Sequence, residues 1–442
     1  MNTRLPELLR RLAGRRGELV HDMGWGLGYE LTSLFSAICT FLLLARALHP
    51  AGFGYYSAIG GLVAVSGTFT SGWGGFVLLE DVLRDGADLT KTFRRLISSL
   101  AVCAAIVLLV TVGIARPLIH TVPIWITVTY VAAEAVGASS VKIAASAIQA
   151  VHGFAASTRP TIVLQALGAA AIVVLWLAHS LSLASAGVAT LAVNLVVGAG
   201  AILLCVKRCR LSPGLASPPR EQLRRGLVYA IALLCFVIEE DSDKVLLVHF
   251  GYSTIGGIYS AAYRIVQMGL IPLRVMVSAT HNRFLAHDEN ARNQHWRRSV
   301  IFTIPSAIYG VVAVSALIVC APLAPDVLGH AYAGTATMIR WIGFLILFRS
   351  VTMFPFNGLM GLGHRGLRTA VLATSAVVNL TLSVLLIPSM SWKACVLATF
   401  VGESLFCALA WLVLLREQRA HDRAVDTRVS TEPAPELDRT AL

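Results

Sequence analysis

Residues 207–225, KRCRLSPGLASPPREQLRR, decide how this chain is read. The stretch holds six basic residues (Lys207, Arg208, Arg210, Arg220, Arg224, Arg225) and three prolines, between two long, largely apolar runs at 183–206 and 226–250. Each run can cross a hydrocarbon layer roughly 30 Å thick, which takes about 20 apolar residues. A basic loop between two such runs is what results when Lys and Arg are retained on the cytoplasmic side of a membrane.

Outward from there the pattern repeats along the whole chain. Apolar runs lie near 24–46, 53–80, 96–115, 123–151, 161–179 and 183–206, then near 226–250, 255–280, 299–320, 334–362, 368–388 and 392–415. Alternate connections are basic: the tail 1–23, loop 81–95, Arg159, 207–225, 281–298, Arg365 with Arg368, and the tail 416–442. Together they hold 27 of the 36 Lys and Arg residues, whereas the other connections hold Arg46, Arg116 and Lys393. An odd number of spans would scramble that segregation. The expected fold is therefore an all-α integral membrane protein of twelve transmembrane helices, with both termini cytoplasmic in a bacterial inner membrane.

Composition agrees. Hydrophobic residues make up 56% of the chain and charged residues 14%, with a mean hydropathy of +0.72; soluble domains carry about 25% charged residues. The formal charge of +12 is spread over loops between spans, so its natural partner is anionic lipid, not nucleic acid. Eight cysteines sit mostly in apolar runs without a CxxC pair and read as small hydrophobes, neither disulfides nor metal ligands. The chain lacks GxxxxGK[ST], HExxH and GxSxG, so no enzyme activity, catalytic residue, cofactor or metal is expected. The 416–442 tail is polar and is expected to be disordered.

The two halves echo each other. Gly54-Tyr55-Tyr56-Ser57-Ala58 opens the second span and Gly257-Ile258-Tyr259-Ser260-Ala261 the eighth, while Ala189-Thr190-Leu191 and Ala398-Thr399-Phe400 lie in the sixth and twelfth. Their order and near-constant spacing argue for two pseudo-symmetric six-helix lobes, 24–206 and 226–415, joined by 207–225. Six is even, so the halves enter the membrane in the same direction. An axis along the membrane normal would relate them, with a substrate site in a central cavity where they meet.

The seventh span is chemically the sharpest segment. Glu239, Glu240, Asp241, Asp243 and Lys244 fall within six residues. Five mid-helix charges facing lipid would cost about 12–18 kcal/mol, more than the roughly 9 kcal/mol that the apolar remainder supplies. They must face water or partners, and Glu240 with Lys244 has the favourable i,i+4 order. The carboxylates Glu240, Asp241 and Asp243 are candidates for binding H⁺ or Na⁺. The other intramembrane charges are Glu30, Glu134, Lys142, Arg264, Arg274, Arg340, Arg349 and Glu403. Such residues usually mark a pathway or an ionic ligand. Lys142, Lys244, Arg264 and Arg274 could line a positive cavity suited to phosphate, with Glu30 and Glu134 among them. Arg340 and Arg349 could instead snorkel to an interface. The glycines of the second span (Gly60, Gly61, Gly67, Gly72, Gly74, Gly75) allow close backbone approach.

Three stretches carry a family resemblance. Asp243-Lys244 through Gly257-Ile258-Tyr259 to Arg264, the turn LLLARALHPAGFGYYSAI at 42–59, and Asn357-Gly358-Leu359 through Arg365 with Val378-Asn379 and Pro388 resemble bacterial Wzx-type polysaccharide flippases. These belong to the multidrug/oligosaccharidyl-lipid/polysaccharide (MOP) superfamily. The resemblance implies a transporter that moves an undecaprenyl-pyrophosphate-linked glycan between leaflets by alternating access, with a polysaccharide polymerase as a possible partner. It places Asp243, Lys244, Tyr259 and Arg264 on matched positions. The acidic density at 239–243 exceeds the family's usual single Asp. An ion-coupled multidrug antiporter of the same superfamily is the alternative.

Overall fold

The computed structural model describes residues 4–212, 214–285, 291–361 and 365–431, and among them there are helices and connections but no strand. Among the described residues, nine helices are long and apolar enough to cross a membrane. The first, Gly28–Arg84, is 57 residues long, about twice what a bilayer needs. It breaks at His49, whose backbone (φ 55, ψ 173) is not helical. Pro50 follows, and a residue before proline is pushed out of the α region. That break separates the first span from the second. The charges of Arg220–His249 keep the seventh span out of an apolarity count. The eighth is split into Ser253–Gly269 and Ile271–Leu285, where Pro272 lacks the N–H that a continuous helix would use. With these the described residues hold all twelve expected spans.

Local chemistry sets the remaining ends. Asp88 caps Leu89–Leu118 by accepting from the Thr90 and Lys91 amides at 2.8 and 3.4 Å. Ser182 and Ser185 form a reciprocal cap on Leu183–Arg208, satisfying donors that the first helical turn leaves open. Gly153, at φ 80, admits a turn between the fourth and fifth spans that a Cβ would oppose. The last helix runs Trp392–Thr431, which corrects the expectation of disorder from 416. Residues 416–431 contain good helix formers and neither Pro nor Gly, and Pro433 comes only afterwards. Positions 432–442 lie outside the described residues.

By contact the chain forms two compact units. One runs to Ser260 and adds Pro325–Ala333; the other comprises Ala261–Ala324 and the chain from Gly334. In the first unit, Trp73, Val77, Leu96, Ile143, Ile148, Val197 and Cys205 belong to one buried core. Gly137 and Gly198 let the fourth and sixth spans touch backbone to backbone, since a Cβ on either would collide with the other helix. The 325–333 segment is tied down by Arg46, which donates to the Val327 carbonyl at 2.7 Å, and by Tyr332, which donates to the Ala45 carbonyl at 2.8 Å. Burial raises the Tyr332 phenol above its ordinary pKa.

The seventh span also packs in this unit, antiparallel to the second. Gly61 meets Asp241 and Val245, Gly72 meets Leu233, Trp73 meets Gly226, Phe76 stacks on Tyr229, and Asp81 bonds Arg225. The sequence division into 24–206 and 226–415 follows the repeat, whereas contact groups 226–260 with the first six spans. The reason is that small residues on both helices admit close approach over some twenty residues of each.

In the second unit, Arg349 lies in Leu345–Gly361 and Glu403 in Trp392–Thr431. Ser375, on the eleventh span, donates to the Gly402 carbonyl at 2.8 Å and so fixes that helix against the twelfth.

Candidate functional site

The charges at 239–244 pair locally. Lys244 Nζ donates to Asp241 Oδ1 at 2.5 Å and to the Glu240 carbonyl at 2.6 Å. The expected i,i+4 approach of residues 240 and 244 is thus realised through backbone, and the carboxylate at i,i+3 lies next to the ammonium. Asp243 accepts from its neighbour's amide (Lys244 N, 2.7 Å) and from the Tyr259 hydroxyl at 2.5 Å. Glu239, Asp243 and Lys244 are buried, while Glu240 and Asp241 are half-buried.

The neighbouring backbone makes room for this cluster. Gly61 carries no side chain where Asp241 lies, its hypothetical Cβ falling 3.4 Å from the Asp241 Cβ. Gly54 and Gly257 interlock: a Cβ on Gly54 would run into the Ser253 carbonyl, and one on Gly257 into the Pro50 carbonyl. The two repeated motifs read from sequence therefore touch each other, and their contact positions Tyr259 two residues after Gly257. Low dielectric strengthens the cluster's bonds and makes losing any one of them expensive.

A second pair lies in the fourth span. Lys142 Nζ donates to Glu134 Oε1 at 2.6 Å, and Gly67 of the second span leaves the space that Glu134 occupies. Of the other candidates, Glu30 is exposed on the first span, Arg264 is half-buried and Arg274 exposed, the last two in the second unit. The first unit thus brings Glu240, Asp241, Asp243, Lys244 and Tyr259 into one cluster and Glu134 and Lys142 into another.

Two arrangements escaped sequence reasoning. Asp81, read as part of a polar loop, is buried and binds Arg225 at 2.7 Å and Gln222 at 3.3 Å, with Glu80 and Asp85 also facing Arg225. In the second unit Arg349 pairs with Glu403 at 2.8 Å, and both are almost wholly buried, at 3% and 1% exposure. Arg349 is therefore no snorkelling residue, because its guanidinium is buried against an internal carboxylate. Arg340 is exposed. Opposite charges at comparable depth on two spans were the available signal.

No family model matches the chain, and no curated protein matches it. Solved structures do. An inward-facing multidrug resistance MATE family transporter of the MOP superfamily has a TM-score of 0.70 at 11% identity, covering 88% of this chain and 96% of its own. An outward-facing MATE structure scores 0.58 at 13% identity, covering 90% and 94%. A MOP superfamily transporter from Pyrococcus furiosus, described as having a binding pocket of reverse polarity, scores 0.56 at 13% identity with the same coverage. The chain has the all-helical fold of these transporters. The structures named are described as transporters, and identities this low speak to the fold alone.

Proposed function

We propose that the chain is a gradient-driven membrane transporter in which the Asp241–Asp243–Lys244–Tyr259 cluster couples a cation, H⁺ or Na⁺, to substrate movement. One observation carries this reading: a spanning helix concentrates four carboxylates and one ammonium, and named bonds hold Asp241, Asp243 and Lys244 among them. A carboxylate that accepts from a tyrosine hydroxyl and lies beside an ammonium has defined partners in its ionised form. Adding or removing a proton or cation there repartners Tyr259 and Lys244, which lie on different helices.

Ion-coupled export of small amphipathic molecules is the substrate reading with the comparisons behind it, since the MATE structures are described as multidrug resistance transporters. Movement of a lipid-linked glycan across a bacterial inner membrane is the second reading, and the motif positions of Asp243, Lys244, Tyr259 and Arg264 favour it. Part of that motif signal has a structural cause, because Gly54 and Gly257 are needed for helix contact whatever is carried. In the glycan reading the polar head crosses through a wet cavity while the tail remains in lipid. Both readings place the termini in the cytoplasm and leave the energy to a gradient.

A deletion strain tests the choice. Raised sensitivity to cationic dyes with normal surface glycan supports antiport; lost glycan with unchanged drug sensitivity supports the flippase. Proteoliposomes test the class itself: an imposed H⁺ or Na⁺ gradient should drive substrate movement by the wild type and not by Asp243→Asn.

A further inference from the structure

Glu134 and Lys142 are eight residues apart. In an unbroken α-helix that spacing turns through about 800°, leaving the side chains roughly 80° apart and about 12 Å along the axis. They are nevertheless bonded at 2.6 Å. The cause is the wide π-helical turn Ala133–Ala138 between Ile124–Ala132 and Ser139–His152. Closing i→i+5, it takes more residues per turn than an α-helix, removes most of that angle and shortens the rise. Such turns gather at functional sites.

The fold is built to hold this one. Asn194 donates to the Ala133 carbonyl at 3.0 Å, and Gly137 lies against Gly198. Thr70, in a second π turn at Thr68–Gly72, shares a 2.7 Å hydrogen bond with Ser139. The second span packs on Glu134 at Gly67, where a Cβ would come within 2.8 Å of Oε1. Residues 57–79, 96–115 and 183–206 of the packed spans contain no carboxylate, ammonium, guanidinium or imidazole, their titratable side chains being Cys103 and Cys205. On its own helix Glu134 has Tyr130 one turn before it. The seventh span, packed on the second through Gly61 and Gly72, carries Glu239, Glu240, Asp241, Asp243 and Lys244.

The two partners differ in exposure. Lys142 is 51% exposed and Glu134 19%. The pair sits at the middle of a 29-residue span, where an ammonium is disfavoured against hydrocarbon and charged groups usually line a water-filled cavity. An ammonium has three donors, and Glu134 takes one of them.

We propose that Lys142 is a binding position for an anionic group, a phosphate or carboxylate, and that Glu134 is its resident counter-ion, so that each anion bound brings one proton onto Glu134. The pair is neutral as it stands. A second anion beside the Glu134 carboxylate is repelled in a medium of low dielectric. Protonation from the solvent removes that repulsion and leaves one positive charge for the ligand. By linkage the anion and the proton favour each other's binding equally. The inference rests on the transporter reading for its access to water, and it adds a substrate class: molecules that bear a phosphate or carboxylate.

The test uses the purified full chain in neutral detergent, with inorganic pyrophosphate as probe. Calorimetry in two buffers of different ionisation enthalpy reads protons taken up per anion. The wild type should take up about one proton per anion bound. Lys142→Gln should weaken binding by about tenfold or more, and Lys142→Arg should restore it. Glu134→Gln should bind at least as tightly as the wild type, with no proton uptake. Repeating the titration in nanodiscs with and without phosphatidylglycerol separates the sources: competition assigns the site to a lipid headgroup, and its absence to a soluble or substrate-borne anion.

The proposal is overturned by wild-type binding without proton uptake, by unimpaired binding in Lys142→Gln, or by failure of the folded wild type to bind pyrophosphate. Gradient-driven transport is measured separately. A protein that binds with proton uptake yet transports nothing would overturn the transporter reading and leave this inference standing.

Discussion

Two ion pairs of the same chemistry behave as different devices in this molecule. In the second unit Arg349 and Glu403 bridge two spans at 2.8 Å with both partners almost wholly buried. In the first unit Glu134, inside a π turn, pairs with Lys142 of the helix that follows it in the same span, with the ammonium half open. Burial decides between a staple and a site. A sealed pair is costly to break and useless to a ligand, whereas an open pair adds little stability and leaves donors to spare.

The largest effect should come from breaking the staple. Glu403→Ala leaves Arg349 charged and buried, with an expected loss of about 3–5 kcal/mol. The measurement is the thermal transition in detergent. Replacing both partners together, Arg349→Met with Glu403→Met, should recover most of that loss, because apolar substitutes often equal a buried pair. A double variant as unstable as Glu403→Ala would show that the pair does more than hold helices.

A smaller loss, about 1–3 kcal/mol, is expected from Gly67→Ala, which crowds a carboxylate in packed surroundings. Its signature is coupled: by displacing Glu134, the variant should also alter the proton uptake that accompanies anion binding at Lys142, which a purely steric defect elsewhere would leave alone. Smallest is Lys142→Ala, expected to cost about 1 kcal/mol or less, as for other open ion pairs. If its thermal transition fell as far as that of Glu403→Ala, the two pairs would be the same device after all. In the second unit, Arg264→Ala should block export while the protein still reaches the membrane, as judged by transport and by the amount in the membrane fraction. Unimpaired export would remove Arg264 from the substrate path.

Much of this architecture is legible in residues alone, because each signal is an average over many positions. Twelve apolar runs and the alternation of basic loops survive small errors at any one site. The cluster at 239–244 stands out because so many charges cannot face lipid. Details that depend on geometry are hidden. Residues 134 and 142 look unrelated until a π turn realigns them, and no pattern in AEAVGA announces that turn. Arg349 and Glu403 are 54 positions apart and meet only when the tenth and twelfth spans pack. Gly54 and Gly257 were visible as a repeat, yet that they contact each other could not be read from spacing. The helical tail to Thr431 was missed because polar composition speaks to burial and says less about helicity.

The cluster of the seventh span is tested most directly by one measurement. Ion movement into proteoliposomes, followed with H⁺- and Na⁺-sensitive dyes as substrate is supplied, should be clear for the wild type. It should be absent for Asp243→Asn at equal folded protein, with Tyr259→Phe between the two. Coupled ion movement in Asp243→Asn at the wild-type rate would contradict the assignment.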